Sequence, residues 1–244
     1  MSDNSAMHLP TTRGPGFAAH ASRPAARDGW VAALALVALL LWEASGLDRW
    51  AAHLFGSAAG FALRDDWLAS RVLHDGGRLL GWVVLGAMLL DAAWLTIAGP
   101  SRAERLRAIG ATLLCLLMVP LLKRASRTSC PWDLVEFGGS ASYVPHWMLG
   151  SFDAGPGHCF PSGHAVAAFA FFSGYFLFRS TRPAVARTWL AAVLIAGLAY
   201  GWGQLARGAH YPSHTLWSAW LCWCACAAVD RLPRSAQHVA VGAT

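Results

Sequence analysis

The stretch Phe160-Pro161-Ser162-Gly163-His164 opens a long apolar run, in a chain that is built mostly of such runs. Proline, serine and glycine ahead of an apolar helix leave backbone N–H groups free at its first turn, where they suit an oxyanion such as phosphate. A histidine at that place can transfer a proton near neutral pH. At the edge of a membrane, this combination indicates phosphoryl chemistry on a molecule held in lipid.

The composition indicates a membrane protein. Of the 244 residues, 56% are hydrophobic and 13% are charged, whereas soluble proteins carry about 25% charged residues. We therefore predict an all-α fold, a six-helix transmembrane bundle in one domain (residues 30–230), and no binding of nucleic acid. The six apolar blocks approach the length of a membrane span and cover residues 30–47, 79–98, 106–122, 163–178, 188–203 and 213–229.

The basic residues between the blocks predict the orientation of the chain. With the N-terminus inside, 11 of the 19 lysines and arginines lie on the cytoplasmic side, as the positive-inside rule requires. Residues 1–29 and 231–244 are then expected to be cytoplasmic tails, and the first of them, which lacks helical periodicity, to be disordered. We expect the inner (cytoplasmic) membrane as the location, with the active site at the outer, periplasmic edge.

Three polar clusters lie at the predicted outer ends of the apolar blocks, within two site loops, 123–164 and 204–214. Lys123, the only lysine of the chain, and Arg127 lie one helical turn apart, so that two cations could hold one phosphate. The other two clusters carry histidines. The candidate site residues are Lys123, Arg127, Ser162, Gly163, His164, Arg207, His210 and His214.

These clusters resemble the three motifs of the type 2 phosphatidic acid phosphatase superfamily, the membrane lipid phosphate phosphatases related to vanadium haloperoxidases. The family pattern is Lys-x6-Arg-Pro, then Pro-Ser-Gly-His, then Ser-Arg-x5-His-x3-Asp. Residues 161–164 match the second motif in full, while Lys123 matches the first motif and His210 the third. The resemblance covers residues 123–214 and, through the six-helix layout, most of the chain.

Three positions depart from the family pattern. Cys130 replaces the arginine of the first motif, Gln204 the arginine of the third, and His214 the aspartate of the third. Arg127 and Arg207 each lie about one helical turn from a missing arginine. We therefore expect their guanidinium groups to reach the same phosphate.

The resemblance implies a mechanism that requires no metal and no cofactor. His210 attacks phosphorus and forms a phosphohistidine, while His164 protonates the leaving oxygen and then activates water. The basic residues of the site, with the N–H groups around Ser162 and Gly163, hold the phosphate oxygens as charge develops on them.

His214 takes the place of the group that orients His210. Because a neutral imidazole adds no negative charge, we expect weaker activation of His210 unless a carboxylate such as Asp75 or Asp133 contributes. The His-x3-His spacing of His210 and His214 would also suit zinc. The neighbouring cations disfavour a divalent ion, and we predict no metal site.

Two of the six cysteines, Cys130 and Cys159, lie in the long connection 123–162, whereas the other four lie within apolar blocks. Facing an oxidising compartment, the two loop cysteines could pair. We predict a Cys130–Cys159 disulfide, which would join the basic cluster to the Pro-Ser-Gly-His segment.

We thus expect an integral membrane enzyme that removes phosphate from a lipid phosphate or diphosphate. Polyprenyl diphosphate, phosphatidylglycerophosphate, phosphatidic acid and the phosphates of lipid A are all open as substrates. A lipid-to-lipid phosphotransferase, in which the phosphohistidine passes its phosphate to another lipid, is an alternative. A non-catalytic membrane protein that retains the fold is another, and the oligomeric state is open.

Overall fold

The computed structural model describes residues 18–148 and 150–233, with side chains from residue 26 onward. Apart from one short strand pair, the regular structure of the described chain is helical, so the expected all-α class is confirmed. Its α-helices are α1 (Ala18–Ala44), α2 (Leu47–His53), α3 (Gly77–Trp94), α4 (Arg102–Ala125), α5 (Val166–Phe169), α6 (Phe172–Phe178), α7 (Pro183–Ala206) and α8 (Pro212–Asp230).

Smaller elements lie in the connections. A π-helix, Leu68–Gly76, runs directly into α3, and two 3₁₀ turns, Pro131–Asp133 and Val135–Phe137, fold the loop that follows α4. Strands β1 (Gly56–Ser57) and β2 (Gly60–Phe61) form a short antiparallel pair.

Each of the six apolar blocks contains helix, but the six-span count is not confirmed. By length and composition, three helices of the described ranges can cross a membrane: Leu68–Trp94, α4 and α7. Helices α1 and α2 reach that class only together, as a pair bent by 64°. The predicted block 163–178 is divided into α5 and α6 by a break at residues 170–171.

The helix starts follow from local sequence. Helix α4 begins with a capping box, in which the Ser101 hydroxyl accepts from the N–H of Glu104 and the Glu104 carboxylate accepts from the N–H of Ser101 at 2.8 Å. Helices α7 and α8 begin with Pro183 and Pro212, at the position where a missing N–H costs nothing.

Helix α4 occupies the middle of the bundle and packs against α3, α5, α6 and α8. The buried core on these helices is apolar and includes Leu85, Ile109, Val119, Phe169, Phe172 and Cys222. Large apolar side chains also cover the outer surface, among them Trp82, Leu117, Ile195 and Leu198. An exposed apolar surface of this extent suits a lipid environment.

At the end of the bundle opposite the histidines, one arginine joins three helices. The Arg179 guanidinium donates to Asp28 of α1 at 2.7 Å and to Asp230 of α8 at 2.7 Å. Within the expected tail 1–29, residues 18–29 belong to α1, and Asp28 is buried. Residues 1–17 and 234–244 of the expected tails lie outside the described residues.

Candidate active site

His210 is fixed by a tight turn at the end of α7. The backbone N–H groups of Ala209 and His210 donate to the Gln204 carbonyl at 2.8 and 3.3 Å. Gly208 has a φ of 75°, and a side chain at this position would collide with the Phe61 ring. Glycine is therefore required on both counts, and the turn directs His210 into the protein, where it is 2% exposed.

His214 lies in the first turn of α8, beside His210. The Nδ1 atoms of the two imidazoles are 3.4 Å apart. The start of α8 is held by Asp48, whose Oδ1 accepts from the N–H of Ser213 at 3.0 Å. Because the Nδ1 atom of His210 faces His214, its Nε2 is the nitrogen left for chemistry.

The Pro-Ser-Gly-His segment packs against the same helix start. The N–H of Ser162 donates to the His214 carbonyl at 3.0 Å, and the Ser218 hydroxyl donates to the Ser162 carbonyl at 2.8 Å. Among the described residues, the buried Ser162 hydroxyl and the Nε2 of His164 have no hydrogen-bond partner. Both atoms thus have unused hydrogen-bonding capacity.

Lys123, in the last turn of α4, lies against Gly163. A Cβ at position 163 would be 3.4 Å from Cδ and 3.8 Å from Nζ of Lys123. The absence of a side chain at Gly163 therefore lets the ammonium approach the backbone of the Pro-Ser-Gly-His segment. The positive charge of Lys123 contributes to lowering the pKa of both His164 and His210.

The two loop histidines are held neutral by their surroundings. Burial, followed by the charges of His74, Lys123 and Arg78, lowers the pKa of His164 to about 3. Burial, followed by the charge of Lys123, lowers the pKa of His210 well below its usual value. A neutral imidazole with a free nitrogen is the form that can act as a nucleophile.

Two predicted phosphate ligands are not brought to the histidines by any contact of the described residues. The Nε of Arg207 donates to the Arg64 carbonyl at 2.8 Å. Arg127 lines a cavity of about 650 Å³ between α1, α4 and α8, whose lining contains neither His164 nor His210. Their role at the phosphate stays a prediction.

The predicted disulfide is confirmed. Cys130 and Cys159 are joined, with their Cα atoms 5.1 Å apart. The Cys159 sulfur lies 3.5 Å from Nδ1 of His210, so the covalent link reaches the candidate nucleophile itself.

Cys159, His210 and His214 lie close enough together for one metal ion. The sulfur belongs to the disulfide, however, so it cannot serve as a thiolate ligand. The two histidines that remain, with the Lys123 cation near them, are a poor donor set for a divalent metal.

Several residues of the site were missed by sequence reasoning. The His74 ring stacks on His164 with centroids 3.5 Å apart, and His74 Nδ1 lies 2.9 Å from Asp75. Asp75, named with Asp133 as a carboxylate that could contribute to the activation of His210, is therefore on the His164 side of the site. The buried Gln204 amide nitrogen has no hydrogen-bond partner among the described residues. Because Gln204 occupies the position of the arginine in the third motif, the sequence could have indicated it as a hydrogen-bond donor to phosphate.

The comparison with protein families agrees with this geometry. The family model of the PAP2 superfamily matches residues 105–236, which include Lys123, His164, His210 and the helices that carry them. The chain belongs to the PAP2 superfamily. No curated protein and no solved structure gives a match.

Proposed function

We propose that the protein is an integral membrane phosphatase that hydrolyses a lipid phosphate or diphosphate. The observation that carries the proposal is the convergence of Lys123, His164 and His210, which come from three separate segments. Membership of the PAP2 superfamily supports phosphatase chemistry at these residues.

In the proposed reaction, Nε2 of His210 attacks phosphorus. A P–N bond forms as the bond from phosphorus to the lipid oxygen breaks, and His164 gives its proton to that oxygen. A water molecule then attacks phosphorus, His164 takes its proton, and the P–N bond breaks to release inorganic phosphate. Lys123 and the N–H groups near Gly163 hold the oxygens throughout.

A groove beside the histidines supports a lipid substrate. It has a volume of about 170 Å³ and lies between α3, α5 and α7. It begins about one turn beyond His164, at Ala167, whose N–H donates to the His164 carbonyl at 3.1 Å. Its lining includes Val84, Ala167, Phe171, Val193 and Ala196. In the proposal, the apolar chain of the lipid occupies this groove, next to the turn that carries His164.

The disulfide supports a site that faces an oxidising compartment, because such bonds persist outside the cytosol. Together with the charge distribution of the loops, this favours the inner membrane with the site at its periplasmic edge.

The test is release of inorganic phosphate by the detergent-solubilised protein from a panel of lipid phosphates, in the presence of EDTA. We expect release to fall by about 100-fold or more in His164→Ala and further in His210→Ala, because each removes a reacting group. The matched control is His158→Asn. His158 is an exposed histidine of the loop that precedes His164, and asparagine tolerates its φ of 57°.

Release that persists in His210→Ala would refute the mechanism. Labelled product only with an added acceptor lipid would indicate a phosphotransferase.

A further inference from the structure

The family aspartate is replaced by His214, yet a buried carboxylate lies close to this histidine. Glu43, near the end of α1, has a side chain that is 3% exposed. Its Oε1 lies 2.9 Å from Nε2 of His146 and accepts from the indole N–H of Trp217 at 2.6 Å. Glu43 is outside the stretch that matches the family model, so no motif assigns it a role.

The proposed reaction, rather than the distances, sets the proton positions on the histidine pair. Nε2 of His210 must be unprotonated to attack, so Nδ1 of His210 carries the hydrogen, 3.4 Å from Nδ1 of His214. If Nδ1 of His214 accepts that hydrogen, His214 carries its own on Nε2. A negative charge on that side would stabilise the pair as positive charge develops on His210 during the attack.

Glu43 and His214 line one small cavity. Its volume is about 10 Å³, close to the least that admits one water molecule. Among the described residues, two buried polar atoms that belong to its lining, Tyr211 Oη and His146 Nε2, make no aligned hydrogen bond. The His146 ring stands edge-on to His214, with centroids 6.0 Å apart. The carboxylate, His146 and His214 thus border the same cavity.

A second carboxylate, Asp48, lines the same cavity. Its Oδ1 already accepts from the indole N–H of Trp42 at 2.8 Å and from the N–H of Ser213 at 3.0 Å. The bond to Ser213 fixes the start of α8, so we assign Asp48 a structural role. Of these two carboxylates, Glu43 is the one for which a contact with a histidine, His146, is seen.

We propose that Glu43 is a positioning residue that supplies, through His146 and one water in the cavity, the negative charge that His214 lacks. The proposal rests on the proposed function, because it assigns the group that supports His210 as nucleophile. The carboxylate of α1 thereby compensates for the loss of the motif aspartate.

The test compares Glu43→Gln in two backgrounds, the natural chain and His214→Asp, which restores the aspartate of the third motif. In the natural background we expect kcat for phosphate release to fall about 10-fold to 100-fold with KM unchanged, because a charge that acts only in the transition state is lost. In the His214→Asp background the same change is expected to cost less than about 2-fold, since the aspartate supplies the charge directly. Glu43→Asp should retain most of the rate.

Glu136→Gln is the matched control, because Glu136 is a carboxylate of the same end of the bundle that pairs with the exposed Arg49 at 2.7 Å. We expect no change in rate. Equal losses from Glu43→Gln in both backgrounds would show that Glu43 only supports the fold, and no loss in either would also overturn the proposal.

Orthovanadate binding separates this proposal from the proposed function. It is measured for the natural chain, Glu43→Gln, His214→Asp and the double variant. Weaker binding in Glu43→Gln, restored in the double variant, would uphold the role of Glu43 even if no lipid is hydrolysed. Vanadate affinity that is independent of Glu43 would overturn it even if lipid phosphate is released. Vanadate bound by none of the proteins would overturn both.

Discussion

At the scale of the residue, the site is defined by neutral imidazoles beside one cation. The pKa of His164 is lowered to about 3, so this histidine is a neutral imidazole, without the second proton of the imidazolium form, at neutral pH in the free protein. The proposed reaction needs that proton on the leaving oxygen. A bound phosphate adds negative charge beside His164 and raises its pKa, so substrate binding itself would prepare the general acid.

Proton uptake on anion binding is the first consequence. At pH 7, binding of orthovanadate is expected to take up about one proton, because the anion raises the pKa of a histidine that is neutral beforehand. Calorimetric titration in two buffers of different ionisation enthalpy measures this number. His164→Ala should bind without the uptake, whereas uptake that persists in that variant would place the proton elsewhere.

At the scale of the element, the connection between α3 and α4 depends on a buried ion pair. Asp91 near the end of α3 accepts from Nε of Arg105 in α4 at 2.7 Å, and also from the Thr96 hydroxyl and the N–H of Ile97. The sequence showed an acidic residue inside an apolar block, but its partner 14 residues later could be recognised only from how the two helices pack.

Asp91→Ala is expected to lower the free energy of unfolding by about 3–5 kcal/mol, because it leaves the buried Arg105 charge without its partner. Thermal unfolding in detergent measures the loss as a fall in Tm. Glu136→Gln breaks an exposed pair and should cost about 1 kcal/mol or less. Similar Tm values for the two variants would contradict the assignment.

At the scale of the whole molecule, the apolar blocks predicted where helices form, because a bilayer leaves the backbone few other ways to satisfy its hydrogen bonds. They did not predict the break at residues 170–171 or the bend after α1, which depend on packing between helices. The motifs likewise predicted Lys123, His164 and His210. Glu43 and His74 reach the site only through the placement of α1 and the π-helix, which no local pattern encodes.

The disulfide acts on the whole molecule by closing a loop of 29 residues. Replacing Cys130 and Cys159 by serine is expected to lower the free energy of unfolding by about 3–4 kcal/mol. Phosphate release should also fall, since the Cys159 sulfur supports the His210 ring. Denaturation and activity assays measure the two effects, with Cys224→Ser on α8 as the control. An unchanged Tm together with an unchanged rate would contradict this role.

The position of Lys123 has a practical consequence. Because it is the only lysine of the chain and lies against Gly163 in the site, an amine-directed reagent finds one side-chain target, at the phosphate pocket. Mass spectrometry would detect acylation there on one internal peptide, distinct from any modified N-terminal peptide, and a bound substrate is expected to shield it. Protection of Lys123 from acylation therefore reports how much of the site is occupied, and unlabelled candidate lipids can be ranked by their affinity without any change to the sequence.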